Sequence, residues 1–125
     1  QLDVLIDLGK WWNGRTPNWP MPLGGNVVRR DLGEDVMRDI TKYTKMSIEY
    51  ALKSPDEALE FAKAWGRGID DETNKEFVGM YVNDRTIDYK EDGRAAIRLF
   101  IKEGQHIGMI RNDFDTATMR FIGEP

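Results

Sequence analysis

The sequence predicts an α/β fold in which two or so short strands lie beside about four amphipathic helices. Two short apolar runs near the N-terminus have the length of strands, and four later stretches place apolar residues at helical spacing. Each amphipathic helix needs an apolar surface to cover, and two short strands provide too little of it. We therefore expect the rest of the sheet to lie upstream of residue 1.

Composition limits the kind of protein and its partners. The chain has 125 residues, 40% of them hydrophobic, which suffices for one compact core. Its 18 Lys and Arg against 22 Asp and Glu give a net charge of -4, without the clustered positive charge that nucleic acids require. Cysteine is absent, which excludes disulfides and cysteine nucleophiles and fits a reducing compartment. The sequence predicts a cytoplasmic protein with no nucleic-acid partner.

The start of the sequence contains neither a membrane span nor a signal peptide. No apolar run approaches the roughly 20 residues that cross a bilayer, so no membrane partner is expected. The first residues lack the basic region of a signal peptide. The chain does not begin with Met and opens directly in an apolar stretch, from which we expect an N-terminal part of the same protein to be missing.

The first 30 residues predict two strands separated by an irregular loop. Residues 2–8 form a short apolar run closed by Gly9, too short for a helix that buries one face. Prolines and glycines in residues 10–22 oppose regular hydrogen-bonded structure. Val27 and Val28 predict a second short strand that ends by Arg30.

A long helix follows. Its first residue is indicated by Asp31 or Gly33, and its end by Ser54, because a residue before proline avoids the helical region. Apolar and small side chains recur on one face at helical spacing, at Val36, Ile40, Tyr43, Ser47 and Ala51.

Three further helices are predicted. Residues 54–57, S-P-D-E, form a capping-box pattern that begins a helix reaching about Trp65 and ending at residues 66–68. Asp70 or Asp71 caps the next helix, and Asn83 ends it in the left-handed cap conformation. A last helix covers about residues 91–103, and the tail is partly extended.

Few side chains carry recognisable chemistry. His106 could act as a general base, but a surface histidine beside a helix C-terminus explains it better. The acidic run at residues 70–72 lacks the alternation and glycine of a calcium loop and is better explained as a helix cap. The residues predict no metal site.

Three features near the N-terminus are compatible with ligand binding or with a structural role. Gly24 and Gly25 let the backbone approach a ligand, although a tight turn explains them as well. The tryptophans at positions 11, 12 and 19 could line an aromatic pocket or seal the edge of the core. Arg29 and Arg30 could bind a carboxylate or phosphate, or pair with nearby acids such as Asp31.

Several linked motifs resemble one enzyme family. Residues 6–12, I-D-L-G-K-W-W, and 22–33, P-L-G-G-N-V-V-R-R-D-L-G, resemble the D-L-G-x-W-W and P-L-G-x-x-x-x-R-R-D-L-G signatures of the 1,4-dihydroxy-6-naphthoate synthases of the futalosine route to menaquinone. Residues 77–83 and 91–94 look like later motifs of that family in the same order. The resemblance covers about residues 1–103, but residues 16–20, T-P-N-W-P, depart from the family pattern.

The resemblance implies a fold, an activity and a site. The fold is that of a type II periplasmic binding protein, with residues 1–125 as the C-terminal half of a two-lobed α/β enzyme. The activity is a lyase reaction that converts cyclic dehypoxanthinyl futalosine to 1,4-dihydroxy-6-naphthoate without metal or organic cofactor. The implied substrate-binding residues are Pro22, Leu23, Gly24, Gly25, Asn26 and Arg29.

The catalytic residue of the family is not in this sequence. Members use a histidine just upstream of the first predicted strand as the base, and His106 does not match it. The implied mechanism is proton abstraction by that histidine followed by carbon–carbon cleavage, with this half shaping the pocket and excluding water. We expect the chain alone to be inactive and to need the N-terminal lobe as its partner; a homo-oligomer is compatible with the sequence.

Two other functions stay open. The chorismate dehydratase of the same pathway shares the fold that the resemblance implies. A non-enzymatic protein of that fold would bind a small anion and release it unchanged. The product of the reaction distinguishes the first alternative, and an upstream histidine facing the cleft distinguishes the second.

Overall fold

The computed structural model describes residues 3–65, 68 and 70–123, and this part of the chain is built from helices. Helices take up 64% of it and strands none, so the predicted α/β fold is wrong. The α-helices are α1 (Leu8–Arg15), α2 (Glu34–Lys53), α3 (Pro55–Lys63), α4 (Asp71–Tyr81), α5 (Asp84–Ile87) and α6 (Lys90–His106). Two 3-10 turns, Arg30–Leu32 and Thr116–Thr118, complete the regular structure.

The first predicted strand is replaced by the approach to α1. Leu2 lies outside the described residues, and residues 3–7 have no regular structure. The Asp7 side chain accepts a hydrogen bond from the backbone N–H of Lys10, 3.0 Å away, which caps a helix where the apolar run was expected to continue as a strand. Leu5 is 92% exposed. Without a neighbouring strand to share backbone hydrogen bonds, a short apolar run does not form a strand.

The second predicted strand is absent for the same reason. Val27 and Val28 lie in an irregular segment that leads into the 3-10 turn Arg30–Leu32. Val27 is almost fully exposed. The predicted loop at residues 10–22 begins too early, because the prolines that break regular structure start only at Pro17 and leave room for α1.

The chain divides into two compact units. The first unit comprises Gln1–Asn26 and Tyr89–Phe121, and the second comprises Val27–Asp88 and Ile122–Pro125. The N-terminal segment and α6 are therefore distant in sequence but share one unit.

The first unit is organised around Trp12 on α1 and Ala96 on α6. Both side chains are buried, and the Trp12 ring meets Phe100 of α6 edge-on with 5.9 Å between ring centroids. At the C-terminal end of α6, Gly108 at φ +74° ends the helix, and the backbone N–H of Ile110 returns to the carbonyl of Gly104 at 3.0 Å. The predicted last helix is confirmed and is slightly longer than expected.

The second unit contains α2 to α5. The long helix is confirmed at Glu34–Lys53, with Gly33 at φ +83° as its N-cap residue. Its buried hydrophobic residue is Met37, while Val36, Ile40 and Tyr43 of the predicted stripe are exposed. An amphipathic sequence therefore forms the helix here, but the described part of the unit leaves Val36, Ile40 and Tyr43 of its apolar face exposed.

The next helix begins where it was predicted but for a different reason. Pro55 occupies the first turn of α3, but the Ser54 side chain makes no capping hydrogen bond. Glu57, the acid of the predicted capping box, instead accepts a hydrogen bond from the Tyr50 hydroxyl at 2.8 Å. The predicted stop at Gly66 and Arg67 lies outside the described residues. Trp65, to which the helix was predicted to reach, follows the end of α3 and is 79% exposed.

Side-chain caps define the helices that follow. Asp70 caps α4 as predicted, with its carboxylate 2.9 Å from the backbone N–H of Thr73. Asn83 does not take the left-handed conformation, because it caps a helix the sequence analysis missed, α5, from extended backbone at φ -152°. Asn83 and Thr86 form a reciprocal capping box. The predicted partly extended tail contains the 3-10 turn Thr116–Thr118.

None of the described helices is long and apolar enough to cross a membrane.

Candidate functional site

The predicted substrate-binding segment is an exposed, irregular stretch of the first unit. Leu23, Gly24, Gly25 and Asn26 are exposed, and Pro22 is half-buried. No side chain lies within 4 Å of the position a Cβ would take on Gly24, whereas a Cβ on Gly25 would lie 3.7 Å from the Tyr89 hydroxyl oxygen. Gly25 thus places backbone without a side chain beside the Tyr89 phenol, and substrate binding by this segment stays a prediction.

Tyr89 belongs to a group of aromatic and guanidinium side chains, which we call the Tyr89 cluster: Tyr89, Arg94, Arg98 and Phe121. The Tyr89 and Phe121 rings meet edge-on with centroids 6.1 Å apart. The Arg98 guanidinium lies 4.9 Å from the Phe121 centroid and that of Arg94 6.0 Å. Arg98 also donates from Nη2 to the carbonyl of Met119 at 3.2 Å, which holds the tail against α6.

The positions of these residues follow from the helix that carries them. Tyr89 immediately precedes α6, and Arg94 and Arg98 are four residues apart, so they share one face of it. Stacking on an aromatic face is favourable for a guanidinium and leaves its in-plane donors free for other partners.

The Tyr89 cluster has the chemistry to bind a flat carboxylate. Arg98 forms no ion pair within the described part of the chain, and its Nε is buried without a hydrogen-bond partner. A guanidinium binds a carboxylate through two parallel hydrogen bonds, and aromatic rings provide flat apolar contact. The sequence did not predict this cluster. The spacing of Arg94 and Arg98 was visible, but the contact with Phe121 depends on the path of the tail.

Arg29, the remaining predicted site residue, belongs to the second unit. Its guanidinium pairs with the carboxylate of Asp31, with Nε and Oδ1 2.9 Å apart. This hydrogen bond raises the pKa of Arg29 above its ordinary value and lowers that of Asp31. Of the two roles that the sequence left open, the structure shows the ion pair; substrate binding by Arg29 stays a prediction.

The three N-terminal tryptophans have different environments. Trp12 is 2% exposed and donates from Nε1 to the Pro20 carbonyl at 3.2 Å, so it seals the core as one alternative predicted. Trp11 is half exposed, with the Arg15 guanidinium 5.2 Å from its ring centroid. Trp19 is partly buried. The Trp11 and Trp12 rings are tilted against each other with centroids 6.4 Å apart.

A separate groove lies at the C-terminal end of α6. It has a volume of about 420 Å³ and is open to solvent. Its lining comes from Lys102, Gln105 and His106 of α6 and from Asn112, Phe114, Asp115 and Thr116 of the tail. His106 is the last residue of α6, as the favoured interpretation of this histidine predicts. Within the described residues, no group of three His, Asp or Glu side chains is placed to hold a metal ion.

Comparison with known proteins identifies the family. The chain is 37% identical over 108 residues to a 1,4-dihydroxy-6-naphthoate synthase of Thermus thermophilus, which covers 86% of this chain and 39% of the relative. It is 29% identical over 109 residues to the enzyme of the same name from Streptomyces coelicolor, covering 87% and 38%. The chain thus spans under half the length of these curated relatives and matches their C-terminal part. No solved structure matches.

The family model described as menaquinone biosynthesis matches residues 1–106, which include α1, the glycine segment and the whole of α6. Because this match covers most of the chain, the protein belongs to the menaquinone biosynthesis family.

Proposed function

We propose that this chain is the C-terminal part of a 1,4-dihydroxy-6-naphthoate synthase. The observation that carries the proposal is the 37% identity to the Thermus relative, which extends over 86% of this chain. The proposed reaction is the lyase step that cleaves a carbon–carbon bond in cyclic dehypoxanthinyl futalosine, in the cytoplasm. The Thermus and Streptomyces relatives both bear the name of this synthase, which favours it over chorismate dehydratase.

In this proposal, the residues of the first unit bind the substrate and do not perform the proton transfer. The open backbone at Gly24 and Gly25 approaches the substrate, and Tyr89 bounds the space beside Gly25. The product named for the relatives carries a carboxylate on a flat bicyclic ring, which suits the guanidinium of Arg98 and the ring of Phe121. The general base comes from the part of the enzyme that precedes this segment.

The proposed activity therefore requires the region N-terminal to the matched part of the relatives. More than half of each relative lies outside the match, which covers 39% and 38% of their lengths and falls in their C-terminal part. The exposed apolar side chains of α2 are consistent with a partner surface that this chain does not contain. We expect residues 1–125 alone to show no turnover.

A segment exchange tests the proposal. The matched C-terminal segment of the Thermus relative is replaced by residues 1–125, and formation of 1,4-dihydroxy-6-naphthoate is measured. We expect the exchanged enzyme to make this product. Gly25→Leu should abolish product formation because the side chain would enter the space beside Tyr89, whereas Gly14→Leu should not, because the space beside Gly14 is open.

Three results would contradict the proposal. Absence of product from a folded exchanged enzyme, while the unmodified relative is active, would remove the basis for the synthase assignment. Dehydration of chorismate would assign the chain to the alternative enzyme. Tight substrate binding with no chemical change would favour the non-enzymatic anion-binding protein.

A further inference from the structure

We propose that the groove at the C-terminal end of α6 is a binding site for a small organic carboxylate with an apolar body. The site lies apart from the Tyr89 cluster and does not depend on the proposed synthase activity. Its lining comes from two parts of the chain. Lys102 and His106 belong to the segment that the family model matches. Asn112, Asp115 and Thr116 lie after that segment. The groove is therefore a feature that the tail adds to the family segment.

The shape of the groove is held by hydrogen bonds of two residues that line it, Gln105 and Asp115. Gln105 donates from Nε2 to the carbonyl of Arg111 at 3.0 Å and to that of Phe114 at 3.1 Å, which fixes the tail to α6. The Asp115 carboxylate caps the 3-10 turn by accepting from the backbone N–H of Ala117 at 2.9 Å. The volume of about 420 Å³ falls within the range of roughly 300–1,000 Å³ found for small-molecule sites.

The donors that line the groove favour an anion. Lys102 and His106 are four residues apart and lie on the same face of α6. Lys102 forms no ion pair with any described residue. Asn112 and Thr116 add an amide and a hydroxyl, both of which donate hydrogen bonds.

The remaining side chains restrict the anion to a carboxylate on an apolar body. Asp115 offsets part of the positive charge that Lys102 brings to the lining, which favours a singly charged anion over a doubly charged phosphate. Phe114 provides the apolar wall. A singly charged carboxylate with an aromatic or aliphatic body fits both features.

The experiment is an NMR titration of the isotope-labelled 125-residue chain with three probes of similar shape: benzoate, benzyl alcohol and phenyl phosphate. We expect benzoate to shift the amide signals of residues 112–116 and the side-chain amide of Gln105, with a Kd of roughly 1 mM. Benzyl alcohol should bind at least about fivefold more weakly because it lacks the charge. Phenyl phosphate should bind no more tightly than benzoate.

Two variants and one control locate the binding. Lys102→Gln should weaken benzoate binding about fivefold. Asn112→Ala, at an exposed position of the tail, removes an amide donor and should also weaken benzoate binding. Lys45→Gln on α2 makes the same chemical change outside the groove and should leave the affinity unchanged.

Several outcomes would overturn the proposal. Equal affinities for benzoate and benzyl alcohol, or benzoate affinity unchanged in both folded variants, would mean that the groove does not recognise a carboxylate. Tighter binding of phenyl phosphate would replace the carboxylate by a phosphate ligand. Shifts confined to residues outside the groove would place the binding elsewhere.

Discussion

Trp12 connects three segments of the first unit. Its ring contacts Phe100 of α6, and its indole N–H donates to the Pro20 carbonyl in the irregular stretch that follows α1. The Thr16 hydroxyl continues this connection, because it donates to the Trp12 carbonyl at 3.1 Å and accepts from the Trp19 N–H at 3.2 Å. The stretch that leads to Gly24 is therefore positioned by a buried side chain and local hydrogen bonds, not by a sheet.

Removing Trp12 should destabilise the chain strongly. We expect Trp12→Ala to lower the free energy of unfolding by about 3–5 kcal/mol, because it leaves a large cavity beside Phe100 and removes the donor to Pro20. Trp11→Ala, at a half-exposed neighbour, should cost about 1 kcal/mol or less. Urea unfolding monitored by circular dichroism measures both. If the two variants lost the same free energy of unfolding, the assignment of Trp12 to the core would be contradicted.

Gly104 and Ile110 should be energetically coupled. A Cβ on Gly104 would lie 2.7 Å from Cδ1 of Ile110, so Gly104→Ala requires this side chain to move. When Ile110 is first shortened to Ala, the same change should stabilise α6 by up to about 1 kcal/mol through helix propensity. A double-mutant cycle in urea measures the difference. Additive effects would show that the two residues are not in contact.

At the scale of single residues, the sequence named candidate site residues but not the contacts that surround them. The open backbone at Gly24 and Gly25 was predicted as a site, and the structure adds Tyr89 beside it. Composition alone could not decide between core and pocket for Trp12, because both roles need the same ring. The stacking of Arg98 on Phe121 joins residues 23 positions apart, and no local pattern encodes such a contact.

Among the helices, α4 has a cap whose strength depends on pH. The backbone N–H and the hydroxyl of Thr73 both donate to the Asp70 carboxylate and hold the pKa of Asp70 below its ordinary value. A carboxyl group with a lowered pKa in the folded state stabilises that state above its unfolded pKa of about 3.9, and the contribution is lost as the pH falls through the lower folded value.

The Asp70 cap therefore predicts a pH-dependent difference between variants. Asp70→Ala should be less stable than the parent at pH 7, and the difference should shrink as the pH falls below about 4. Asp70→Asn keeps a capping side chain that does not titrate, so its stability relative to Asp70→Ala should not vary with pH. Thermal unfolding at a series of pH values provides the comparison. A parent-to-alanine difference that persists unchanged at low pH would contradict the role of the ionised cap.

At the scale of elements, helices were predicted well and strands were not. The boundaries of α2 and α4 were close, because Pro55 and Asp70 are local stop and start signals, and α6 extends three residues past its predicted end, through Gly104 to His106. The short helices α1 and α5 were missed, since four to eight residues carry too little periodicity to detect. The predicted strands depended on partner strands that residues 3–65, 68 and 70–123 do not provide.

For the molecule as a whole, exposed apolar side chains are the main departure from an ordinary small domain. Within the described residues, the buried hydrophobic side chains are Trp12, Met37 and Ala96, while many large ones are exposed. Monomeric proteins rarely leave large apolar patches uncovered unless a partner covers them. The predicted assignment of residues 1–125 to one half of a larger enzyme is compatible with this surface and stays a prediction.

Exposed apolar surface should be measurable with a hydrophobic dye. We expect the isolated chain to enhance the fluorescence of anilinonaphthalene sulfonate, and Ile40→Gln with Tyr43→Gln to reduce the enhancement by removing part of the α2 stripe. The control is Lys45→Gln with Glu49→Gln on the same helix, which changes no net charge and no apolar area. Equal dye binding by the two double variants would show that this stripe is covered in solution.

The contacts of the tail beyond α6 determine where a shortened version of this protein should end. A chain that ends at residue 106, where the family match ends, would lack the Phe121 ring on which Arg98 stacks. It would also lack the Met119 carbonyl that accepts a hydrogen bond from Arg98. It would also delete one wall of the groove at the end of α6. Any shortened version made for crystallisation or for fusion to another protein should therefore retain the residues through Phe121, although nothing in the family match requires them.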